Sequence, residues 1–116
     1  MGGAKLALGL SKLLRPEQLA VVVNTGDDEE FYGLHVSPDL DTVTYTLAGV
    51  ADPDTGWGIQ GETFTVLERL GDYGEDIWFR LGDRDLATHI RRTHLLGQGT
   101  PLSEVTLVLC KALGVA

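Results

Sequence analysis

Leu19-Ala20-Val21-Val22-Val23-Asn24-Thr25-Gly26-Asp27-Asp28 is the stretch that decides the fold class. Its first five residues are a continuous apolar run rich in valine, closed by an Asn-Thr-Gly turn signal, and this predicts a strand. Continuous apolarity, rather than alternation, suits a strand covered on both faces, as in a parallel sheet. Asp27 and Asp28 then stand just beyond the carboxyl end of that strand. Carboxylates so placed suit a hard cation held against a phosphorylated ligand.

Upstream, Leu6, Leu10, Leu13 and Leu14, with Ala7 beside them, predict one apolar helical face ended by Arg15-Pro16. Downstream, Ser37 is expected to cap a helix with Pro38 in its first turn and Gly49 at its exit. Asp39 and Asp41 fall in that first turn. A Gly/Asp/Pro loop from Asp52 to Gly58 follows, then a helix from about Glu62 to Leu70 ending at Gly71. Ile77 to Leu81 reads as a short strand. Asp83 or Asp85 opens a helix through Leu96 stopped by Gly97, and Thr100-Pro101 caps a last helix to about Leu113. Two strands are too few for a stable sheet, which needs roughly three or a covering layer of helices. The expectation is therefore one partial α/β domain over residues 1–116, with the partners of its buried strand missing.

Bulk properties narrow the function. The 116 residues make one domain or part of one, and 43% hydrophobic with 22% charged residues is neither a disordered nor a membrane composition. The apolar stretch Leu6 to Leu14 is too short to span a bilayer and lacks secretory-signal features, which predicts a cytoplasmic protein. A net charge of −8 argues against a nucleic-acid partner, since Arg91-Arg92 is the only adjacent basic pair. The single cysteine, Cys110, cannot form an internal disulfide and reads as a buried thiol.

The chemistry concentrates in three acidic stations: Asn24 to Asp28, Ser37 to Thr42, and Gly82 to His89. On spacing alone, Asp27 and Asp28 either hold a cation or decorate a turn. Asp39 and Asp41 suit the positive end of a helix equally well. Gly82-Asp83-Arg84-Asp85 offers an arginine for an anion, or a plain helix cap with a surface ion pair. His89 follows Asp85 by one helical turn, so the two share a face. Trp57 and Trp78 offer flat rings for stacking; Trp78-Phe79 reads as core, and Trp57, in a Gly-rich loop, as the better ligand contact.

Six ordered blocks resemble the phospholactate transferase family of deazaflavin-coenzyme (coenzyme F-420) biosynthesis. They are Gly2-Gly3-Ala4-Lys5, Val22 to Asp28, Gly33 to Thr42, Tyr45 to Gly49, Gly56-Trp57-Gly58 and Trp78 to His89. The resemblance implies the amino-terminal part of a doubly wound, Rossmann-like α/β domain whose first strand and carboxyl half are missing here. It implies a transferase moving a phospholactyl or phosphoenolpyruvyl group from a guanosine diphosphate ester to the ribityl hydroxyl of a deazaflavin precursor. GMP leaves, magnesium assists, and the longer protein forms a homodimer. Carried onto this sequence, Asp27, Asp28, Asp39 and Asp41 hold the metal, and Asp27, Asp41, Asp83 and Arg84 serve the reaction. Gly2, Gly3, Asn24, Thr25, Gly26, Trp57 and His89 contact substrate. A non-catalytic sugar-nucleotide-binding regulator of the same superfamily is the alternative, which the Pro38-to-Thr42 and Gly82-to-His89 blocks disfavour.

Overall fold

The computed structural model describes residues 2–55 and 58–115. Five helices dominate: α1 (Gly2–Leu13), α2 (Pro38–Ala48), α3 (Thr65–Asp72), α4 (Asp83–Gly97) and α5 (Leu102–Ala112). A short hairpin, β1 (Glu29–Phe31) and β2 (Leu34–Val36), pairs antiparallel in the register Glu29–Val36, Glu30–His35 and Phe31–Leu34. This mixed architecture is compatible with part of an α/β domain.

The hairpin was not foreseen. Its two-residue turn, Tyr32-Gly33, has φ of 54° and 78°, the double left-handed geometry that matches the twist of paired strands. Asn-Gly would have announced it; a tyrosine at positive φ does not. The Tyr32 hydroxyl donates to the Asp76 carbonyl, tying the turn to the segment after α3.

The deciding stretch behaves otherwise than its sequence predicts. Leu19 to Val23 is not a strand: Val22 is 97% exposed and Val21 lies at the surface. Leu19, Val21 and Val23 instead line a groove with Leu40, Val43 and Leu47 of α2 and Leu107 of α5. The physical reason is the absence of a partner. Backbone N–H and C=O groups form a ladder only against a neighbouring strand, and the hairpin is the whole sheet among the described residues. Ile77 to Leu81 likewise forms no strand, for the same reason.

Four further expectations are corrected. The buried face of α1 is Ala4 and Ala7, whereas Leu6 and Leu13 are exposed, because small side chains let α1 approach α2 closely. Ser37 precedes α2 without capping it; its hydroxyl donates to Asp28 instead. Trp78 is 66% exposed, not core, and Cys110 is only part-buried. The α2 exit is as expected, with Gly49 left-handed at φ 75°.

The element that positions the site is α4. Its first turn is capped by Glu62, which accepts from the N–H groups of Arg84 (2.7 Å) and Asp85 (3.1 Å). Reciprocally, Asp83 accepts from the N–H groups of Thr65 (3.2 Å) and Val66 (3.0 Å) and from the Thr63 hydroxyl (2.7 Å), capping α3. The Thr63 bond, then the backbone ones, hold the exposed Asp83 carboxyl below its usual range. Beneath this junction Val36, Leu81 and Leu86 form the core, with Phe31, Leu34 and Phe79 packed on it. A Cβ at Gly82 would stand 2.1 Å from Glu62 Cδ. Gly82→Ala is therefore expected to expel the capping carboxylate and cost about 1 kcal/mol. Urea unfolding checks this, with Glu62→Ala giving a loss of similar size.

Candidate active site

Two stripes of residues meet over one cavity. Asp41 and Tyr45, four apart, lie on one face of α2; Asp85, His89 and Arg92 lie along one face of α4. The cavity, of about 370 Å³, is also lined by Val36, Trp78, Phe79 and Arg80. Its aromatic wall is fixed: Phe31 stacks on Phe79 at 4.6 Å, and Trp78 meets both rings edge-on at 5.5 and 5.7 Å.

At the base, Arg92 is fully buried and pairs through Nη2 with Asp41 Oδ1. His89, also buried, places Nε2 3.1 Å from Asp85 Oδ2 and Nδ1 3.6 Å from Asp41 Oδ2. The Tyr45 hydroxyl donates to Asp85 Oδ1 at 2.5 Å. Burial first, then the neighbouring Asp41 and Asp85, push the Tyr45 pKa far up, so it stays a donor. Asp85 is pushed up by burial, yet its bonds to His89 and Tyr45 and the charge of Arg92 outweigh that and hold it below its usual range.

Asp41 goes the other way. Burial raises it from 3.8 to about 6, against the pull of Arg92 and His89. Between about pH 4 and 6 the folded chain keeps a proton that the unfolded chain has released. This contribution to stability is thus full below about pH 4 and is lost as pH rises through about 6. The loss is on the order of 2–3 kcal/mol. Urea unfolding at pH 4.5 and 7 should show Asp41→Asn less destabilised by the rise than the parent chain.

Asp41, Asp85 and His89 form the one group of three or more potential metal ligands among the described residues, with ligand atoms within 4.8 Å of one another. Asp41 Oδ2 is buried without a hydrogen-bond partner, as a carboxylate awaiting a cation would be. Two carboxylate oxygens facing a cavity fit a hard divalent ion.

The site residues expected from sequence divide. Asp41 and His89 are at the centre. Asp27, Asp28 and Asp39 do not join Asp41 in any such group. Asp28 instead accepts from Ser37 Oγ (2.8 Å) and lies 3.1 Å from His35 Nε2, with its Oδ1 buried and unpartnered. Asp27 is exposed in the loop, and Asp39 is half-buried in the first turn of α2. Asn24 Oδ1 accepts from Gly26 N–H at 2.9 Å, closing the turn that carries the exposed Thr25. Asp83 caps α3, and Arg84 donates to the Gln60 carbonyl at 3.2 Å. Gly2 and Gly3 open α1, away from the cavity lining. Trp57 lies outside the described residues.

Sequence reading pairs Asp85 with His89 on one face and offers Trp78 as a stacking ring without assigning Asp85 or Trp78 to the site, and it does not reach Arg92, Tyr45 or Arg80. The spacings 41/45 and 89/92 are a further usable signal, since each pair shares one helical face. Arg91 and Arg92, adjacent in sequence, part completely: Arg91 is exposed and Arg92 buried.

Fold and site together define a carboxylate-and-histidine centre beside an aromatic-walled cavity on a helix-rich, mixed scaffold. The chain belongs to the family described as 2-phospho-L-lactate transferase CofD, whose family model matches residues 1–116. It is 52% identical over 111 residues to the phosphoenolpyruvate transferase of Streptomyces griseus, covering 95% of this chain and 35% of that protein. The corresponding proteins of Mycolicibacterium smegmatis and Mycobacterium tuberculosis H37Rv are 48% and 47% identical, over 121 and 124 residues. These matches cover 96% and 95% of this chain and 37% and 38% of theirs. The chain thus spans little more than a third of the length of these curated relatives. No helix among the described residues is long and apolar enough to cross a membrane.

Proposed function

We propose that the chain is part of a transferase in coenzyme F-420 biosynthesis. It moves a phosphoenolpyruvyl or phospholactyl group from a guanosine diphosphate ester to the ribityl hydroxyl of an 8-hydroxy-5-deazaflavin precursor. The hydroxyl oxygen bonds to the distal phosphorus, the bond from that phosphorus to the bridging oxygen breaks, and GMP leaves. The observation that carries the reading is the cavity: a pair of carboxyl groups and a buried imidazole at its base, an arginine and an indole on its wall.

Transfer of this kind depends mainly on positioning and on neutralising charge. Asp85, kept ionised, is the acceptor for the hydroxyl proton. Arg80 reaches the transferred phosphate from the wall, and Trp78 offers its open face to a flat ring. Magnesium, held by Asp41 and Asp85, would neutralise the diphosphate oxygens. Asp27, Asp28 and Asp39 enter as outlying sources of oxygen from the loop and helix turn flanking Asp41. Gly2 and Gly3, at the open N–H groups of α1, and Asn24, Thr25, Gly26 and Trp57 are taken as contacts to the nucleotide ester. Asp83 and Arg84 act through the junction that aims α4. The remainder of the longer protein completes a doubly wound sheet, beginning beside Leu19 to Val23, and dimerises in the cytoplasm.

The test is a turnover assay with the deazaflavin precursor, lactyl- or enolpyruvyl-diphosphoguanosine and magnesium. It compares the 116-residue chain with a protein extended to the length of its relatives. GMP release by the extended protein supports the reading. Nucleotide binding without turnover would replace it with the regulatory binder.

A further inference from the structure

Arg92 is a fully buried cation that makes contacts in three directions and stands behind the residues that line the site cavity. Its Nη2 pairs with Asp41, its Nη1 donates to the His35 carbonyl at 3.2 Å, and the same Nη1 lies 3.3 Å from His89 Nδ1. It sits three residues after His89, one turn along the same helix. A guanidinium carries only donors and does not lose its charge inside a protein. Whatever faces Nη1 must therefore offer a lone pair. The His35 carbonyl does so by nature. His89 does so only when Nδ1 is bare, which puts its proton on Nε2.

On the far side of the ring, Nε2 lies 3.1 Å from Asp85 Oδ2 yet is buried without a well-directed hydrogen-bond partner, so a proton there is left for the cavity. The ring is enclosed, His89 being fully buried. Beside it, the His89 carbonyl accepts from Thr93 Oγ1 at 2.7 Å, which in turn accepts from His35 N–H at 2.8 Å, tying helix α4 to strand β2.

We propose that Arg92 is a positioning residue that fixes His89 as the neutral Nε2–H tautomer, making it a hydrogen-bond donor to the cavity and excluding it from metal coordination. A histidine bound to a metal through Nε2 must carry its proton on Nδ1, where Arg92 already presents a donor. The three-residue cluster is then a two-carboxylate metal site with an N–H beside it. Such an oxygen-only set selects a hard cation over zinc. The unpartnered Nε2 proton is then open to a ligand oxygen in the cavity beside Asp85. The tautomer assignment stands on geometry alone; its consequence for group transfer rests on the transferase reading.

Nitrogen-15 NMR of histidine-labelled extended protein tests this, with the His89 signals assigned by loss in His89→Gln. The expected pattern is a proton-bearing Nε2 and a bare Nδ1, unchanged when magnesium or equimolar zinc is added. A proton on Nδ1 in the parent protein, or loss of the Nε2 proton on adding zinc, would overturn the proposal without any variant being made. In Arg92→Lys, which keeps charge but not the planar fork, the Nε2–H preference should weaken, with kcat down at least tenfold and KM within threefold. An unchanged tautomer in a folded Arg92→Lys protein sinks the positioning role. Absent turnover in the parent, with the expected tautomer present, would sink only the transferase reading.

Discussion

Arg92→Met is expected to destabilise the extended protein by about 3–5 kcal/mol, the scale for breaking a buried ion pair from one side. Methionine fills much of the same space, so the loss is not mainly a cavity. It comes from Asp41, which would keep its burial and lose its strongest partner. The carboxyl would then stay protonated well above its present value near 6. The His35 carbonyl and His89 Nδ1 would each lose a donor as well. Urea unfolding at pH 7 checks the magnitude. The double change Arg92→Met with Asp41→Leu should recover a large part of the loss, since it removes the buried, unpaired carboxyl group along with its partner. Equal instability of the single and double variants would show that shape, rather than charge, is what Arg92 supplies.

Asp41→Asn should lower kcat of the extended protein by about 10²–10³-fold, the usual cost of removing one preorganised charge from a transferring centre. The substitution is close to isosteric, and an amide oxygen can still accept from Arg92, so the fold should survive. What it removes is the negative charge on the buried, unpartnered Oδ2. KM for the nucleotide ester should change less than kcat if the charge acts chiefly as the reaction proceeds. Steady-state kinetics at saturating magnesium, with circular dichroism as the control for folding, separate these outcomes. A loss repaired by raising magnesium would assign the effect to ion affinity alone.

The sequence disclosed the helices well and the sheet badly, and the difference has a physical basis. A helix satisfies its backbone locally, so Pro38 at the start, Gly49 at the exit and the Gly97 stop delimit α2 and α4 within a residue or two. A strand requires a partner, which no local pattern supplies. Leu19 to Val23 has the side chains of a strand without a neighbour to pair with, whereas Glu29 to Val36 forms a hairpin from unpromising residues because its turn folds it onto itself. At the site, Asp41, Asp85 and His89 all stand in dense acidic motifs, and the shared face of Asp85 and His89 is legible from their spacing. That Asp41 meets them, and that Arg92 joins the group, is not, because nothing in a single chain says that the faces of α2 and α4 oppose each other. Arg92 in particular enters the sequence reading only as half of an adjacent basic pair. Trp78 and Phe79, adjacent in sequence, are divided by exposure in a way that only the packing on Phe31 reveals.

The most direct measurement is GMP release by the extended protein carrying Asp85→Asn, assayed beside the parent with magnesium, the diphosphoguanosine ester and the deazaflavin precursor. Asp85 stands at the base of the cavity, 3.1 Å from His89 and bonded to Tyr45. If that cavity is where the phosphorus is transferred, the folded variant should lose at least about 100-fold in kcat. Turnover within a few-fold of the parent would contradict the account and move the reacting centre elsewhere in the protein.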